Sequence, residues 1–339
     1  MGINRLIRRI TGAALAVCVM AGMGTSTAYA RPDWPSDTGI MADAGIVIDA
    51  DTRAVLFGQQ IHVALPPASI TKLLTALVVA EHASMDDIVE FSHDAVYNVE
   101  EASGNKLSLE EGDKLTVEDC LYVMLLLSSN QAANALAEHV AGSRAAFVEM
   151  MNEKTAALGC VDSHFANPSG LNDEQQYVSA YDMALISAAA FENEKVLEVS
   201  SAKSHRIPAT ANNPEGISFN MEHRILMADD TSSDYYCEGA TAGKTGYTSI
   251  AGNTLVTYAV RDGRGEISVI LKGTQPQYYM DAKELLNFGF ASFKNVNIAQ
   301  GETLLTENEQ LEIGGVSYPA SDLFLDEQAA VTLPNNAEF

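Results

Sequence analysis

Hydrophobic and polar positions change their period along the chain, and these changes divide it into predicted elements. Residues 45–58 alternate around the turn residues 49–52, which predicts a β-hairpin. From Ser69 to about His82 the chain is apolar nearly all round, which predicts a buried central helix. Further helical patterns cover residues 117–127, 131–140, 143–158, 181–190 and 281–290.

Strand patterns return after Gly239. Residues 253–260 and 267–273 alternate or run apolar, and Asp262-Gly263 supplies a turn between them. Strands at both ends and helices in the middle predict a mixed α/β fold, with one antiparallel sheet covered by helices. From residue 294 onward, short apolar pieces alternate with Gly and Pro, which predicts a short or truncated β-rich C-terminal segment, 294–339.

The first 30 residues have the features of a secretory signal peptide. Basic residues at positions 5, 8 and 9 precede an apolar stretch, and Ala28-Tyr29-Ala30 forms a small-residue cleavage site. The apolar stretch is shorter than the ~20 residues that a membrane-spanning helix needs. We therefore expect an exported protein without a strong membrane anchor, whose principal domain covers residues 31–293.

The charge and the cysteine and histidine content argue against nucleic-acid binding, a disulfide framework and a metal site. The net charge of −25 argues against binding to nucleic acid. Cys120, Cys160 and Cys237 remain after the predicted cleavage, an odd number that argues against a full disulfide framework. Cys120 lies in an apolar helical pattern, which predicts a buried thiol. Without His-Glu-x-x-His or a close Cys/His cluster, the sequence predicts no metal site and no cofactor.

Three short motifs carry candidate chemistry, and two of them recur. Lys-Thr-Gly occurs once, at Lys244. Ser-x-x-Lys occurs three times, at Ser69/Lys72, Ser103/Lys106 and Ser200/Lys203. Ser-x-Asn also occurs three times, at Ser103/Asn105, Ser128/Asn130 and Ser218/Asn220. The surrounding pattern must therefore choose among the copies.

Ser69 and Lys72 are the copy that an apolar helix supports. Lys72 follows Ser69 by one helical turn, so the two side chains share a face, and a buried lysine can lose its charge and act as a base. The helix start also offers backbone N–H groups to a developing oxyanion. The alternative is that Ser69 only caps the helix. Ser103/Lys106 is crowded by acidic residues and is interpreted as a solvated loop; Ser200/Lys203 lies in a similarly polar stretch.

Ser128 and Asn130 directly follow the apolar run 125–127. Ser128 is a candidate proton relay between Lys72, a leaving amine and Lys244, and the Asn130 amide is a candidate partner of a substrate carbonyl. The alternative is helix capping by Ser128 or Ser129.

Lys244-Thr245-Gly246 is predicted to begin a strand. Lys244 and Thr245 can supply positive field and a hydrogen bond to a substrate carboxylate, whereas Gly246 permits close approach of a substrate backbone. The backbone N–H of Tyr247 is a candidate oxyanion donor. The alternative is a plain turn entering a strand.

Taken together and in this order, the motifs resemble those of the serine-type D-alanyl-D-alanine carboxypeptidases, the low-molecular-weight penicillin-binding proteins of peptidase family S11. The segments PPASITKLLTAL, HFANPSGL and KTGYTSIAGNTLV resemble that family too. The resemblance implies a β-lactamase/transpeptidase-like antiparallel sheet flanked by helices. It also implies removal of the terminal D-alanine from a peptidoglycan stem peptide ending in D-Ala-D-Ala, through a Ser69 acyl-enzyme that β-lactams also form. The expected location is extracellular, on the cell-wall side of the cytoplasmic membrane.

Two departures from the family pattern stand out. Family members often carry His where this chain has Tyr247, and many carry an Arg in the region that here contains residues 275–279, QPQYY. A D,D-endopeptidase or a catalytically weak penicillin-binding module remain alternatives. A β-lactamase is disfavoured because residues 167–172, NPSGLN, contain no glutamate to activate a deacylating water.

Overall fold

The computed structural model describes residues 35, 39–99, 104–301, 309–324, 326 and 329–337. The chain divides into two compact units, Asp37–Ala291 and the combination of Met1–Ser36 with Ser292–Phe339. The predicted signal peptide and Ser103 lie outside the described residues.

The strands are short outside the central sheet. In chain order they are β1 (Ala44–Asp49), β2 (Val55–Gln59), β3 (Ile88–Glu90), β4 (Lys114–Thr116), β5 (Ser204–Ile207), β6 (Ile217–Asn220), β7 (Ala240–Thr248), β8 (Gly252–Arg261), β9 (Arg264–Gly273), β10 (Phe293–Asn297), β11 (Gln310–Ile313), β12 (Val316–Pro319) and β13 (Ala330–Pro334).

A five-stranded antiparallel sheet forms the centre of the larger unit, in the order β2-β1-β9-β8-β7. Strands from the two ends of the unit meet at the β1–β9 pair, which confirms the prediction of one antiparallel sheet built from both ends. The predicted turn between β8 and β9 is confirmed as well. Asp262 and Gly263 both have positive φ, 50° and 80°, as a tight hairpin with the natural strand twist requires.

Helices cover this sheet and surround one buried helix. They are α1 (Lys72–His82), α2 (His93–Tyr97), α3 (Val117–Leu126), α4 (Asn130–Ala141), α5 (Arg144–Ala157), α6 (Ala180–Glu192), α7 (Glu194–Ser201), α8 (Arg224–Met227) and α9 (Gln277–Ser292), whereas α10 (Ile298–Gly301) belongs to the smaller unit. The five longer helical patterns after α1 are confirmed as α3, α4, α5, α6 and α9. The sequence did not predict α7 or the hairpin of β5 and β6.

Polar residues set the starts of these helices. The side chains of Thr116, Ser129, Ser143 and Ser179 each accept a hydrogen bond from the backbone N–H three residues further on. Such caps satisfy one of the N–H groups that a helix start leaves without a partner. Each cap therefore fixes where a helix leaves its preceding loop.

The predicted central helix is confirmed as α1, with one correction at its start. Ser69 lies in a 3-10 helix, Ala68–Thr71, and the α-helix begins only at Lys72. The apolar side chains of α1 are buried, and the helix packs against α3, α4, α5 and α6. The 3-10 helix packs against β7 and β8. Ser69 therefore sits beside the edge strand of the sheet.

In the smaller unit, β10 pairs with β13 and β11 pairs with β12, all antiparallel. Across the part of the chain that the structure describes, no helix combines the length and the apolar character needed to cross a bilayer. The same residues contain no group of three or more His, Cys, Asp or Glu suited to a metal ion. The Cys120 thiol is buried in α3, as predicted.

Candidate active site

Ser69 and Lys72 are in contact, as their spacing predicted. The Nζ atom of Lys72 lies 2.9 Å from Ser69 Oγ and 2.8 Å from Asn130 Oδ1, and it also donates a hydrogen bond to the backbone oxygen of Ser169. The Lys72 side chain is 0% exposed. The amine therefore joins the 3-10 helix that precedes α1, the first residue of α4 and the loop that contains Ser169.

The surroundings of Lys72 favour its neutral form. Burial holds the pKa of Lys72 well below its usual range, and the positive charges of Lys244 and Lys106 lower it further. A neutral amine keeps a lone pair that can accept the proton of a hydroxyl group. Because Ser69 Oγ is one of the three neighbours of Nζ, this pair can generate a serine nucleophile.

The turn between α3 and α4 presents Ser128. The Ser129 hydroxyl caps α4 by accepting from the N–H of Ala132, so Ser129 carries the capping role that the sequence left open between these two serines. Ser128 has a φ of 63°, in the left-handed region that residues with a side chain rarely adopt. Asn130, two residues later, contacts Lys72 directly. The Ser-x-Asn motif is thus brought to the Ser-x-x-Lys motif by the α3–α4 turn.

Lys244, Thr245 and Gly246 lie within β7 rather than at its start, where the sequence placed them. They pair with β8 in the register Lys244↔Val256, Thr245↔Leu255 and Gly246↔Thr254. Tyr247 continues the strand opposite Asn253, and its side chain is 66% exposed.

Gly246 is where β7 comes closest to the nucleophile. A Cβ atom at this position would lie 2.8 Å from the Ser69 backbone nitrogen and 2.3 Å from Thr254 Oγ1. Thr254 Oγ1 in turn donates a hydrogen bond of 2.8 Å to the carbonyl oxygen of Pro67. The strand and the segment before Ser69 are therefore in direct contact, and only a glycine fits between them.

Lys244 is a second buried lysine in the site, with 2% of its surface exposed. Burial lowers its pKa to about 7; the Glu222 carboxylate opposes this effect and the Lys106 ammonium adds to it. Lys244 is therefore poised between its charged and neutral forms near neutral pH.

The loop of residues 167–171 forms another wall of the site. Gly170, with a φ of 86°, approaches the Ala68 carbonyl so closely that a Cβ atom would lie 1.9 Å from that oxygen. Asn167 Oδ1 accepts from the Gly170 N–H at 2.8 Å, and Thr75 Oγ1 donates to the Pro168 carbonyl at 2.7 Å. These bonds position the Ser169 carbonyl that Lys72 contacts, a site group that motif reasoning missed because it belongs to the backbone.

Lys106 lies in a loop with 49% of its side chain exposed, as the sequence predicted, but it also contacts the end of α3. Its Nζ atom donates to the Leu127 carbonyl at 3.0 Å and lies 2.6 Å from Glu222 Oε1. The residue assigned to a solvated loop therefore reaches the peptide that precedes Ser128. Lys203 of the remaining Ser-x-x-Lys copy, with 48% of its side chain exposed, forms an ion pair with Asp229, which is 80% exposed.

Tyrosines fill the region in which many relatives of the resembled family carry an arginine. Tyr278 and Tyr279 are buried, and the Tyr279 ring packs edge-on against His223, with 5.8 Å between ring centroids. Burial lowers the pKa of His223 to about 4, so this imidazole is neutral near pH 7. Residues 275–279 contain no arginine and His223 is neutral, so neither supplies a positive charge to the site. Lys244, next to Thr245 in the sequence, is a cation that remains.

Comparisons with known proteins agree with this geometry. Residues 30–275 match the family model described as D-alanyl-D-alanine carboxypeptidase, peptidase S11. The chain is 33% identical over 266 residues to D-alanyl-D-alanine carboxypeptidase DacB2 of Mycobacterium tuberculosis, covering 77% of this chain and 84% of that protein. It is 27% identical over 288 residues to DacF of Bacillus subtilis, covering 83% of this chain and 70% of that protein.

Solved structures give the same result. Penicillin-binding protein 6B from Escherichia coli superposes with a TM-score of 0.71 at 28% identity, covering 90% of this chain and 88% of that one. A D-alanyl-D-alanine carboxypeptidase from Mycobacterium tuberculosis superposes with a TM-score of 0.68 at 30% identity, covering 77% and 95%. The chain belongs to peptidase family S11, the family of the D-alanyl-D-alanine carboxypeptidases.

Proposed function

We propose that the protein is a serine-type carboxypeptidase that releases the terminal D-alanine from peptidoglycan stem peptides ending in D-Ala-D-Ala. The observation that carries this proposal is the contact of 2.9 Å between Ser69 Oγ and the fully buried Lys72 Nζ. A serine hydroxyl becomes a useful nucleophile only when a base accepts its proton, and burial provides that base by neutralising the lysine.

The other contacts of Lys72 orient its lone pair. A neutral amine has two N–H bonds and one lone pair. Asn130 Oδ1 and the Ser169 carbonyl are acceptors only, so they take the two N–H groups. The lone pair is left for the hydroxyl proton of Ser69, which is the direction of transfer that nucleophilic attack requires.

In the proposed acylation, Ser69 Oγ bonds to the carbonyl carbon between the two D-alanines while its proton passes to Lys72. The backbone N–H groups of Ser69 and Tyr247 stabilise the oxyanion. The C–N bond then breaks, and the leaving amine of D-alanine takes a proton that Ser128 relays from Lys72. Water attacks the resulting ester, again with Lys72 accepting a proton, and Ser69 is regenerated.

Recognition of the terminal carboxylate is assigned to Lys244 and Thr245. A charged Lys244 attracts a carboxylate strongly in a buried site, and the Thr245 hydroxyl can donate a hydrogen bond to it. Since residues 275–279 contain no arginine, carboxylate binding in this chain depends on the protonation of Lys244.

The remainder of the stem peptide has space on the other side of Ser69. Along β7 the carboxylate end of the site, at Lys244, is followed by Gly246 beside Ser69 and then by the turn that contains Ile250. A cavity of about 370 Å³ opens there, with walls that include Pro66, Pro67, Gly170, Leu171, Tyr177 and Ile250. We place the residues before D-Ala-D-Ala in this cavity, where the apolar walls would contact their aliphatic parts.

β-Lactams are expected to acylate Ser69 as substrate mimics. The loop of residues 167–172 has no carboxylate to activate a water molecule, so we expect slow release of the drug and no β-lactamase activity. Export remains part of the proposal, on the strength of the sequence of residues 1–30. N-terminal sequencing of the protein recovered from outside the cytoplasm should give Arg31 as the first residue; retention of residues 1–30 would contradict it.

The direct test is release of free D-alanine from a synthetic peptide ending in D-Ala-D-Ala. Wild-type protein should release it, the Ser69→Ala variant should not, and Ser103→Ala, which alters another Ser-x-x-Lys copy, should behave as wild type. If folded wild-type protein releases no D-alanine but cleaves crosslinked dimers of stem peptides, the endopeptidase alternative replaces the carboxypeptidase.

A further inference from the structure

The Lys106 ammonium lies at the end of α3. There it donates to the Leu127 carbonyl at 3.0 Å while it is paired with Glu222 at 2.6 Å. Glu222 is itself tied to the same helix end, since its backbone N–H donates to the Leu126 carbonyl at 3.3 Å. Lys106 and Glu222 therefore hold two successive carbonyl groups just before Ser128.

These carbonyl groups belong to the last turn of α3, where a helix leaves C=O groups without internal partners. A cation at this position also interacts favourably with the negative end of the helix dipole. The next residue, Ser128, has a φ of 63°, a conformation that costs roughly 1–2 kcal/mol for a residue with a side chain. Such a conformation persists only where its surroundings determine it.

We propose that Lys106 is a positioning residue of the active site, whose ammonium, paired with Glu222, holds the Leu127 carbonyl and thereby the turn that presents Ser128. The proposal rests on the proposed function, because the proton relay through Ser128 is the step that a displaced turn would slow. No feature of the resembled motif set assigns a role to this lysine.

The charges around the two catalytic lysines give this proposal a distinctive signature. Lys72 faces the positive charges of Lys244 and Lys106, which lower its pKa. Lys244 faces Lys106, which lowers its pKa, and Glu222, which raises it. His223, which also faces Lys244, is buried and neutral near pH 7. Loss of Lys106 therefore affects both lysines, whereas loss of the Glu222 charge affects Lys244.

The pH dependence of kcat/KM separates these effects, since it reports on groups of the free enzyme. Activity rises with pH as Lys72 loses its proton and falls again as Lys244 loses its own. In Lys106→Met the pKa values of both lysines rise. The acidic limb of the pH profile, set by Lys72, and the alkaline limb, set by Lys244, should therefore both move to higher pH by roughly half a unit. In Glu222→Gln the pKa of Lys244 falls, so only the alkaline limb should move, to lower pH.

The experiment measures D-alanine release and penicillin acylation across pH for four variants. Lys106→Met should lose kcat by about tenfold, the equivalent of one charge-assisted hydrogen bond, with little change in KM. Lys106→Arg should recover most of the rate and the wild-type pH limbs. Lys203→Met, which removes the exposed partner of Asp229, is the matched control and should not differ from wild type. Glu222→Gln is the fourth variant, and only the alkaline limb of its pH profile should move, to lower pH.

Thermal unfolding of each variant shows that it is folded. Lys106→Met with wild-type kcat would overturn the proposal even if the pH limbs move, because loss of the charge alone shifts both pKa values. A variant that loses only thermal stability would overturn it as well. Failure of the proposed function has a different outcome, in which the wild-type protein itself releases no D-alanine.

Discussion

Replacement of Gly246 by alanine should push strand β7 away from Ser69. The added Cβ atom would lie 2.8 Å from the Ser69 backbone nitrogen, 3.1 Å from that of Ile70 and 2.3 Å from Thr254 Oγ1. Two of these three neighbours are backbone atoms of the 3-10 helix that carries Ser69, and they cannot rotate away. The strand must therefore shift by roughly 0.5 Å to reach ordinary contact distances, the kind of displacement that overpacking produces.

The size of the effect follows from that displacement. Overpacking costs about 1–3 kcal/mol of unfolding free energy, so the variant should still fold. A displacement of about 1 Å in an active site can cost about 100-fold in rate, so we expect kcat/KM for D-alanine release to fall by roughly 10- to 100-fold. Acylation by penicillin should fall in parallel, because the same strand and the same oxyanion donors are used.

The assay is D-alanine release at several substrate concentrations, with a thermal unfolding curve for each variant. Gly39→Ala is the matched control, because among the described residues, its chain neighbours aside, no atom lies within 4 Å of a Cβ added at Gly39. A Gly246→Ala variant with kcat/KM within about twofold of wild type would refute the argument that β7 is packed directly against Ser69.

Three further predictions address individual groups. Lys72→Ala should reduce penicillin acylation by at least about a thousandfold while the far-ultraviolet circular dichroism stays that of the wild type; normal labelling would remove Lys72 from the mechanism. Because the pKa of Lys244 is about 7, kcat/KM for a substrate with a free terminal carboxylate should decline as pH rises through 7, and a profile that is flat from pH 6 to 9 would contradict its role. Thr254→Val should lower the free energy of unfolding by about 1–3 kcal/mol in chemical denaturation, because the Pro67 carbonyl loses its buried hydrogen bond; no measurable loss would mean that this bond does not fasten the nucleophile segment to β8.

The parts of the fold that the sequence predicted are those whose signals are local. The apolar character of α1 on all sides and the Asp262-Gly263 turn are visible in windows of a few residues, and both are confirmed. The start of α1 was less visible, because a 3-10 turn and an α-helix have similar patterns over four residues. The hairpin of β5 and β6 was missed because strands of four residues provide too few positions for alternation to be recognised.

The same distinction explains which site residues were found. Ser69, Lys72 and the Lys244 triplet form ordered motifs, and the structure places them together around one nucleophile. Lys106 was missed because its contacts cross long stretches of sequence, 21 residues to Leu127 and 116 residues to Glu222. No local pattern encodes such a contact, and the acidic surroundings of Lys106 suggested a solvated loop.

The measurement that tests the central claim most directly is identification of the residue that carries the acyl group. The purified wild-type protein would be treated with benzylpenicillin and digested, and the modified peptide located by mass spectrometry. The account predicts a single penicilloyl group on Ser69, absent from Ser69→Ala. A modification on Ser128 or Ser103 instead, or undiminished labelling of Ser69→Ala, would contradict the assignment of Ser69 as the nucleophile.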